Sequence, residues 1–187
     1  GQLNHIAAGE RIARTLCETA APAFAFTADA ASVYCATPGE VVRVGKQTGK
    51  VDRLPGGEAP LTAIVADSVR SAVYAGSRSG ELYRVVGDRL ARLDPKGARP
   101  RRIRGLAADS HGIVWVTSAE TGITRYNPST DDYKHFGQEP YTVSYNLDTI
   151  TKIAEGGGLL WIKMNNWGFG YYDRERDTVE PFYNDPK

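Results

Sequence analysis

Three histidines, two cysteines and a recurring set of carboxylates are the side chains through which this chain could do acid–base, nucleophilic or metal chemistry. His5, His111 and His135 stand at unrelated points, and none has an acid or a cysteine at metal-ligand spacing. His111 sits in a turn signal and reads as a solvated turn residue. Cys17 and Cys35 are too few for a disulfide framework and lack CxxC spacing, so they are either two separate small hydrophobes or one optional bridge, and they do not fix the compartment. GxSxG elbows are absent, as is any glycine-rich loop followed by Lys and Ser or Thr. The run Gly156-Gly157-Gly158 leads into a strand-like segment and reads as a hairpin. No catalytic residue, metal or cofactor is expected.

The carboxylates recur with the chain's own period. Asp29, Asp67, Asp109 and Glu155 each end an apolar stretch and precede a short aromatic run: Val33-Tyr34-Cys35-Ala36, Val73-Tyr74-Ala75-Gly76, Val114-Trp115-Val116-Thr117 and Leu160-Trp161-Ile162-Lys163. The aromatics lie 40, 41 and 46 residues apart, and Arg43, Arg84 and Arg125 follow them in step at spacings of 41. Acids at one repeat position are expected to satisfy turn amides. The aromatics are expected to be core, and the arginines to pair with neighbouring repeats, being too widely spaced to track nucleic acid.

What positions these residues is a unit of four short strands. Apolar and polar residues alternate within the runs, and Gly, Pro, Asn and Asp separate them, which is the pattern of antiparallel hairpins. The predicted fold is all-β, a β-propeller-type repeat of about four blades of four antiparallel strands, a partial propeller or half-ring. The blades are read at 20–56, 57–99, 100–140 and 141–187. Residues 1–19 form an N-terminal segment in which Gly9 to Leu16 suits either a helix or a strand of another blade. An open arc leaves apolar end faces, so homodimer closure into one ring, tight four-bladed closure and an open arc all stay in play.

Composition is that of a globular protein, with 41% apolar and 24% charged residues. The 23 basic and 22 acidic side chains leave a net charge of +1, which draws the chain to neither nucleic acid nor an anionic membrane. No window is long and apolar enough for a membrane-spanning helix, and Gly1-Gln2-Leu3-Asn4 lacks the blocks of a secretory signal, which leaves a processed or trimmed start open.

The run Asp109-Ser110-His111-Gly112-Ile113-Val114-Trp115-Val116-Thr117, followed by Thr121-Gly122-Ile123-Thr124-Arg125-Tyr126-Asn127-Pro128, resembles the two-component regulator propeller repeat. Leu160-Trp161-Ile162 with Gly170-Tyr171-Tyr172-Asp173 is similar to the same repeat, and Ser144-Tyr145-Asn146-Leu147-Asp148 to its lead-in. The resemblance implies the periplasmic sensor region of a hybrid sensor kinase of Bacteroidetes type, often glycan-responsive, with adjoining propeller and sensor-kinase domains as partners. The implied function is a non-enzymatic ligand-sensing module; the alternatives are a propeller-fold lyase or lactonase, or a protein-interaction scaffold.

One loop departs from the repeat. Met164-Asn165-Asn166-Trp167-Gly168 replaces the usual small turn of the fourth unit, after a lengthened connection through Tyr141, Tyr145 and Asn146. Both loop types emerge on one face of a propeller. Amides and flat rings suit a small polar ligand or an oligosaccharide, which makes Tyr145, Asn146, Asn165, Asn166 and Trp167 the candidate ligand-binding residues, with Arg78 and Glu120 in the corresponding loops of the second and third blades.

Overall fold

Each period of the chain folds back on itself because its strands are short, rich in Val, Ile and Tyr, and joined by turns that pair chain neighbours. The computed structural model describes residues 1–6, 11–118, 120, 122–136, 150–156, 159–164 and 168–182. Among these lie four four-stranded antiparallel sheets, strands following chain order across each. Sheet I holds β3 (Ala25–Ala28), β4 (Ser32–Ala36), β5 (Glu40–Gly45) and β6 (Val51–Pro55). Sheet II holds β7 (Leu61–Asp67), β8 (Ala72–Ser77), β9 (Leu82–Val86) and β10 (Arg89–Arg92). Sheet III holds β11 (Ile103–Ala108), β12 (Val114–Ser118), β13 (Ile123–Asn127) and β14 (Asp132–Phe136). Sheet IV holds β15 (Ile150–Gly156), β16 (Leu159–Met164), β17 (Gly168–Asp173) and β18 (Thr178–Phe182). The first strands of successive sheets lie side by side, so the sheets fan out from an inner edge as propeller blades do.

Ahead of sheet I, β1 (Gln2–His5) pairs with β2 (Arg14–Glu18) as a two-stranded sheet. Residues 14–16 are therefore strand, and the helix alternative does not hold there: Leu16 and Cys17 pack with Leu3 onto Cys35, Val42 and Val44 of sheet I. Cys17 and Cys35 are free thiols within this one apolar cluster, and burial pushes both above the ordinary thiol range.

The two in-phase sequence markers turn out to be cross-strand partners. Tyr34 stands opposite Arg43, Tyr74 opposite Arg84, and Trp115 opposite Arg125. Residues directly opposite share a face, and in each case that face is turned to the next sheet. Tyr34 packs with Val41 and Leu54 against Ile64, Val73 and Tyr83 of sheet II. Tyr74 and Leu82 meet Val114, Tyr126 and Tyr133 of sheet III. Trp115 meets Leu160, Ile162 and Tyr172 of sheet IV, its ring 4.6 Å from that of Tyr172. Two of the three arginines cross the same gaps: Arg43 donates to the Gly87 carbonyl at 2.6 Å, and Arg125 to Asp177 at 2.6 Å and Tyr172 at 3.3 Å, whereas Arg84 is exposed.

The repeat acids close their turns as expected in three cases. Asp29 accepts from the amides of Ala31 and Ser32, Asp67 from Val69 and Arg70, and Asp109 from His111 and Ile113. Glu155, one carbon longer, reaches sheet III instead, accepting from the Ser110 amide at 2.7 Å and its hydroxyl at 2.8 Å. Asp109 also takes the Trp115 indole N–H at 2.8 Å and the Arg174 guanidinium at 3.0 Å. Burial pushes this carboxyl up, but the indole, the Ile113 amide and Arg174 outweigh it and hold Asp109 below the usual carboxylate range.

End faces behave differently. Trp161 is half-buried, with the Tyr171 ring 6.3 Å away and its N–H on the Gly156 carbonyl. At the other end, Phe26 of β3 is 78% exposed, whereas Ile64, also three residues before the repeat acid, is 6% exposed beneath sheet I. The hairpin β1–β2 packs on β4 and β5, the middle strands of sheet I, and does not reach Phe26.

Trp115→Ala is expected to cost about 3–5 kcal/mol, and Phe26→Ala less than about 0.5 kcal/mol, on urea unfolding. Because the folded Asp109 titrates below its free value of 3.8, the native state binds fewer protons than the unfolded chain in that range. Its stabilisation is complete well above pH 3.8 and is lost as pH falls through the lower folded value. Asp109→Asn should cost about 3 kcal/mol at neutral pH and flatten the acid limb of the stability profile, read from urea midpoints.

Candidate functional site

The connection from β10 to β11 is drawn across the outer edge of sheet III. The Leu93 amide donates to Leu82, and Lys96 makes a parallel bridge beside β14, donating to Asp131 at 2.9 Å and accepting from the Tyr133 amide at 2.7 Å. Gly97 permits this approach: its φ is +96°, and an added Cβ would stand 2.9 Å from the Tyr133 carbonyl oxygen. His135 then holds the next residue, with Nε2 2.6 Å from the Ala98 carbonyl and Nδ1 2.6 Å from Thr124 Oγ1. A carbonyl only accepts, so Nε2 carries a hydrogen, and in the neutral ring Nδ1 accepts from the threonine hydroxyl.

Two turns clamp the remainder of the segment. Gly80, at φ +91° in the β8–β9 turn, presses so close to Pro100 that a Cβ there would lie 1.8 Å from the Pro100 carbonyl oxygen. From the β12–β13 turn, the Ser118 hydroxyl donates to the Arg101 carbonyl, and Glu120 pairs with Arg102 at 3.5 Å. Arg102 itself takes φ 51°, a left-handed conformation rare for a side chain of this kind. Thr62 secures the exit by donating to the Ile103 carbonyl at 2.6 Å.

The result is an open cleft of about 810 Å³ between sheets II and III. Ala98, Arg99, Pro100 and Arg101 form one wall, with Ser79, Glu120 and His135 around them. Behind Ser79, the Glu81 carboxylate accepts from the Tyr83 hydroxyl at 2.8 Å and from Ser79 at 3.0 Å, and pairs with Arg92 at 3.3 Å. The Tyr83 hydrogen bond, outweighing burial together with Ser79 and Arg92, holds Glu81 below the usual carboxylate range; burial, then Glu81, pushes Tyr83 up to about 12. The chemistry available here is polar recognition by guanidinium, hydroxyl and carboxylate groups.

Of the residues singled out in the sequence, the structure brings Glu120 to the cleft and Arg78 to its border, exposed beside the lining Ser79. Tyr145, Asn146, Asn165, Asn166 and Trp167 lie outside the described residues. His111 is a turn residue, exposed, its ring nitrogen 3.1 Å from Ser110 Oγ, and His5 lies on exposed β1. Sequence reading missed Ser79, Arg99, Arg101 and His135. The signal for the arginines was present, since residues 99–104 hold four arginines and no acid. No signal marked His135, which reads as a strand residue until the 98–102 segment is laid against it. Among the described residues, no group of three or more His, Cys, Asp or Glu has the geometry to hold a metal.

No family model and no curated protein matches the chain. Solved structures do. A catalytically inactive histidine-to-alanine variant of virginiamycin B lyase from Staphylococcus aureus, solved with quinupristin, aligns at TM-score 0.69 and 15% identity over 90% of this chain and 58% of its own. A streptogramin B lyase aligns at 0.66 and 13%, over 86% and 54%, and selenomethionine-substituted virginiamycin B lyase from S. aureus at 0.62 and 15%, over 83% and 53%. The chain spans a little over half the length of each. The likeness shows a shared β-propeller fold and does not reach to the two-component regulator family.

Gly80→Ala is expected to lower stability by about 1–3 kcal/mol through strain against Pro100. Gly87→Ala, with φ +61° and nothing within 4 Å of an added Cβ, should cost only the left-handed backbone penalty of about 1 kcal/mol. Thermal melts of the two variants check the difference.

Proposed function

We propose that this chain is part of a non-enzymatic, ligand-sensing propeller, the periplasmic sensor region of a hybrid two-component system, that takes a small polar ligand or an oligosaccharide on its loop face. The observation that carries this reading is the cleft itself: loops from two sheets clamp the segment between them, so Ser79, Arg101 and Glu120 stand around one opening. A ligand bridging two sheets favours one spacing of the blades over another, and differential affinity for two arrangements is what a sensor needs to act on a neighbouring domain. The Asp-to-Trp repeat of sheet III supplies the family side of the proposal. Its partners are adjoining propeller and kinase domains, stacked on the end faces where β3 and Trp161 are incompletely covered; a second copy of the chain is the other occupant of those faces.

A second reading is favoured by the fold neighbours, which are lyases. Incubation with quinupristin separates the two: the sensor reading expects the ligand to elute from reversed-phase chromatography unchanged, and conversion to a product of different retention, an isomer included, would establish an enzyme. Ser79→Trp, which fills the cleft from an exposed turn, is expected to abolish saccharide binding by calorimetry while shifting the melting temperature by less than about 3 °C. Undiminished binding would move the site elsewhere.

A further inference from the structure

We propose that β1 and β2 are the outer half of a further blade, completed by a two-stranded hairpin of the adjoining propeller that docks along β1 and over Phe26. This rests on the reading of that end face as a junction with adjoining propeller repeats. The sequence supplies the first argument. Gly1-Gln2-Leu3-Asn4-His5-Ile6 and Gly9-Glu10-Arg11-Ile12-Ala13-Arg14 match in type Gly80-Glu81-Leu82-Tyr83-Arg84-Val85 and Gly87-Asp88-Arg89-Leu90-Ala91-Arg92, with one residue more between the two blocks. The matched segment holds β9 and β10, the third and fourth strands of sheet II. His5 thus takes the place of the arginine marker.

Packing gives the same assignment. Val41 and Leu82, at one repeat position, each face the sheet that follows. Leu3 does so too, lying on Cys35, Val42 and Val44. Those three correspond to Ala75, Tyr83 and Val85 of sheet II, which sheet I covers. Arg53 of sheet I anchors the hairpin by donating to the Glu18 carbonyl at 2.6 Å.

What this pair of strands lacks is its inner neighbours. In each of sheets I to IV the third strand is paired on both sides, whereas among the described residues β1 pairs with β2 alone, and Asn4 and His5 are exposed. The bare part of sheet I lies beside that open edge. Ile64 and Val73 of sheet II are 6% and 4% exposed beneath Tyr34, but their counterparts Phe26 and Val33 are 78% exposed and half-buried. The uncovered area is continuous with the face that β1 and β2 already cover, so the missing cover is the first and second strands of a blade.

The chemistry of the occupant follows. An open strand edge takes another strand through main-chain hydrogen bonds. Tyr34, Tyr74 and Trp115 each stand opposite the arginine marker and turn to the following sheet, so a Tyr or Trp opposite His5 would fall over Phe26 and Val33. The docking hairpin is therefore an apolar strand ending in an acid, a turn, and a strand centred on Tyr or Trp. A whole sheet from a second copy would bring third and fourth strands to where β1 and β2 already stand.

A peptide copy of Leu61–Ser77 is the probe, because its natural partner β9 is the strand that β1 matches. Titrated into the full chain, it is expected to slow amide hydrogen exchange of residues 2–5 at least about tenfold. It should bind at least about tenfold more weakly to the Phe26→Asp variant, and Tyr74→Ser in the peptide should weaken it likewise. A copy of Leu61–Ser79 fused ahead of Gly1 recreates the β8–β9 turn and raises the effective concentration. It should protect the same amides and raise the melting temperature even where the free peptide binds too weakly to titrate. Failure of the fused copy to protect them would overturn the inference. Phe26-dependent binding without protection of β1 would overturn strand docking while leaving the end face as a junction. Binding that neither protects β1 nor responds to Phe26→Asp would remove the junction as well. A dimer of the unmodified chain in sedimentation, dissociated by Phe26→Asp, would give the face to a second copy and overturn the proposal. Circular dichroism of Phe26→Asp confirms the fold.

Discussion

The burial of one aromatic ring per sheet beneath the following sheet is the interaction on which the remainder of the molecule depends. Trp115 shows the constraint in full. Its ring is fully buried, 5.9 Å from Phe136 and 4.6 Å from Tyr172, and an indole N–H in such a place needs an acceptor. Asp109 supplies it, but a buried carboxylate is costly unless its own oxygens are satisfied. Two turn amides and Arg174 of the next sheet do so. Core, turn and inter-sheet ion pair are thus one network, and none of its parts is stable without the others.

The same network divides the two ends of the sheets. At the end where first and second strands, and third and fourth strands, are joined, cations cross each gap: Arg43 to Gly87, Arg70 to Gly112, Arg174 to Asp109, Arg125 and Lys134 to Asp177. That end is consumed in holding sheet to sheet. At the opposite end, the connection between sheets II and III is clamped by backbone contacts with Gly80 and Ser118, which leaves arginine, hydroxyl and carboxylate side chains directed to an opening. A rigid scaffold below and functional groups on the loops above is the usual economy of repeat folds.

Much of the architecture was legible because its cause is periodic. The spacing of Tyr34, Tyr74 and Trp115, and the phase of Arg43, Arg84 and Arg125, reflect direct cross-strand pairing, so the sequence carried both the strand and the face. The turn role of Asp29, Asp67 and Asp109 followed from side-chain length and local reach. Glu155 did not follow the rule, because one further methylene and the proximity of Ser110 gave it a partner on another sheet. Trp161 keeps the repeat position yet is only half-buried, since its burial is a property of the neighbouring sheet and not of its own strand.

Local alternation and turn chemistry, which act between residues a few positions apart, determined by themselves that this chain is all-β, repetitive and built of four-stranded units. The cleft was decided only by tertiary structure. Ser79, Arg99, Arg101, Glu120 and His135 belong to four separate segments, and what unites them is the seating of Pro100 against Gly80 and of Ala98 against His135. Contacts of that kind depend on how far one sheet is rotated from the next, a quantity set by side-chain packing across the gap and written in no single stretch of sequence.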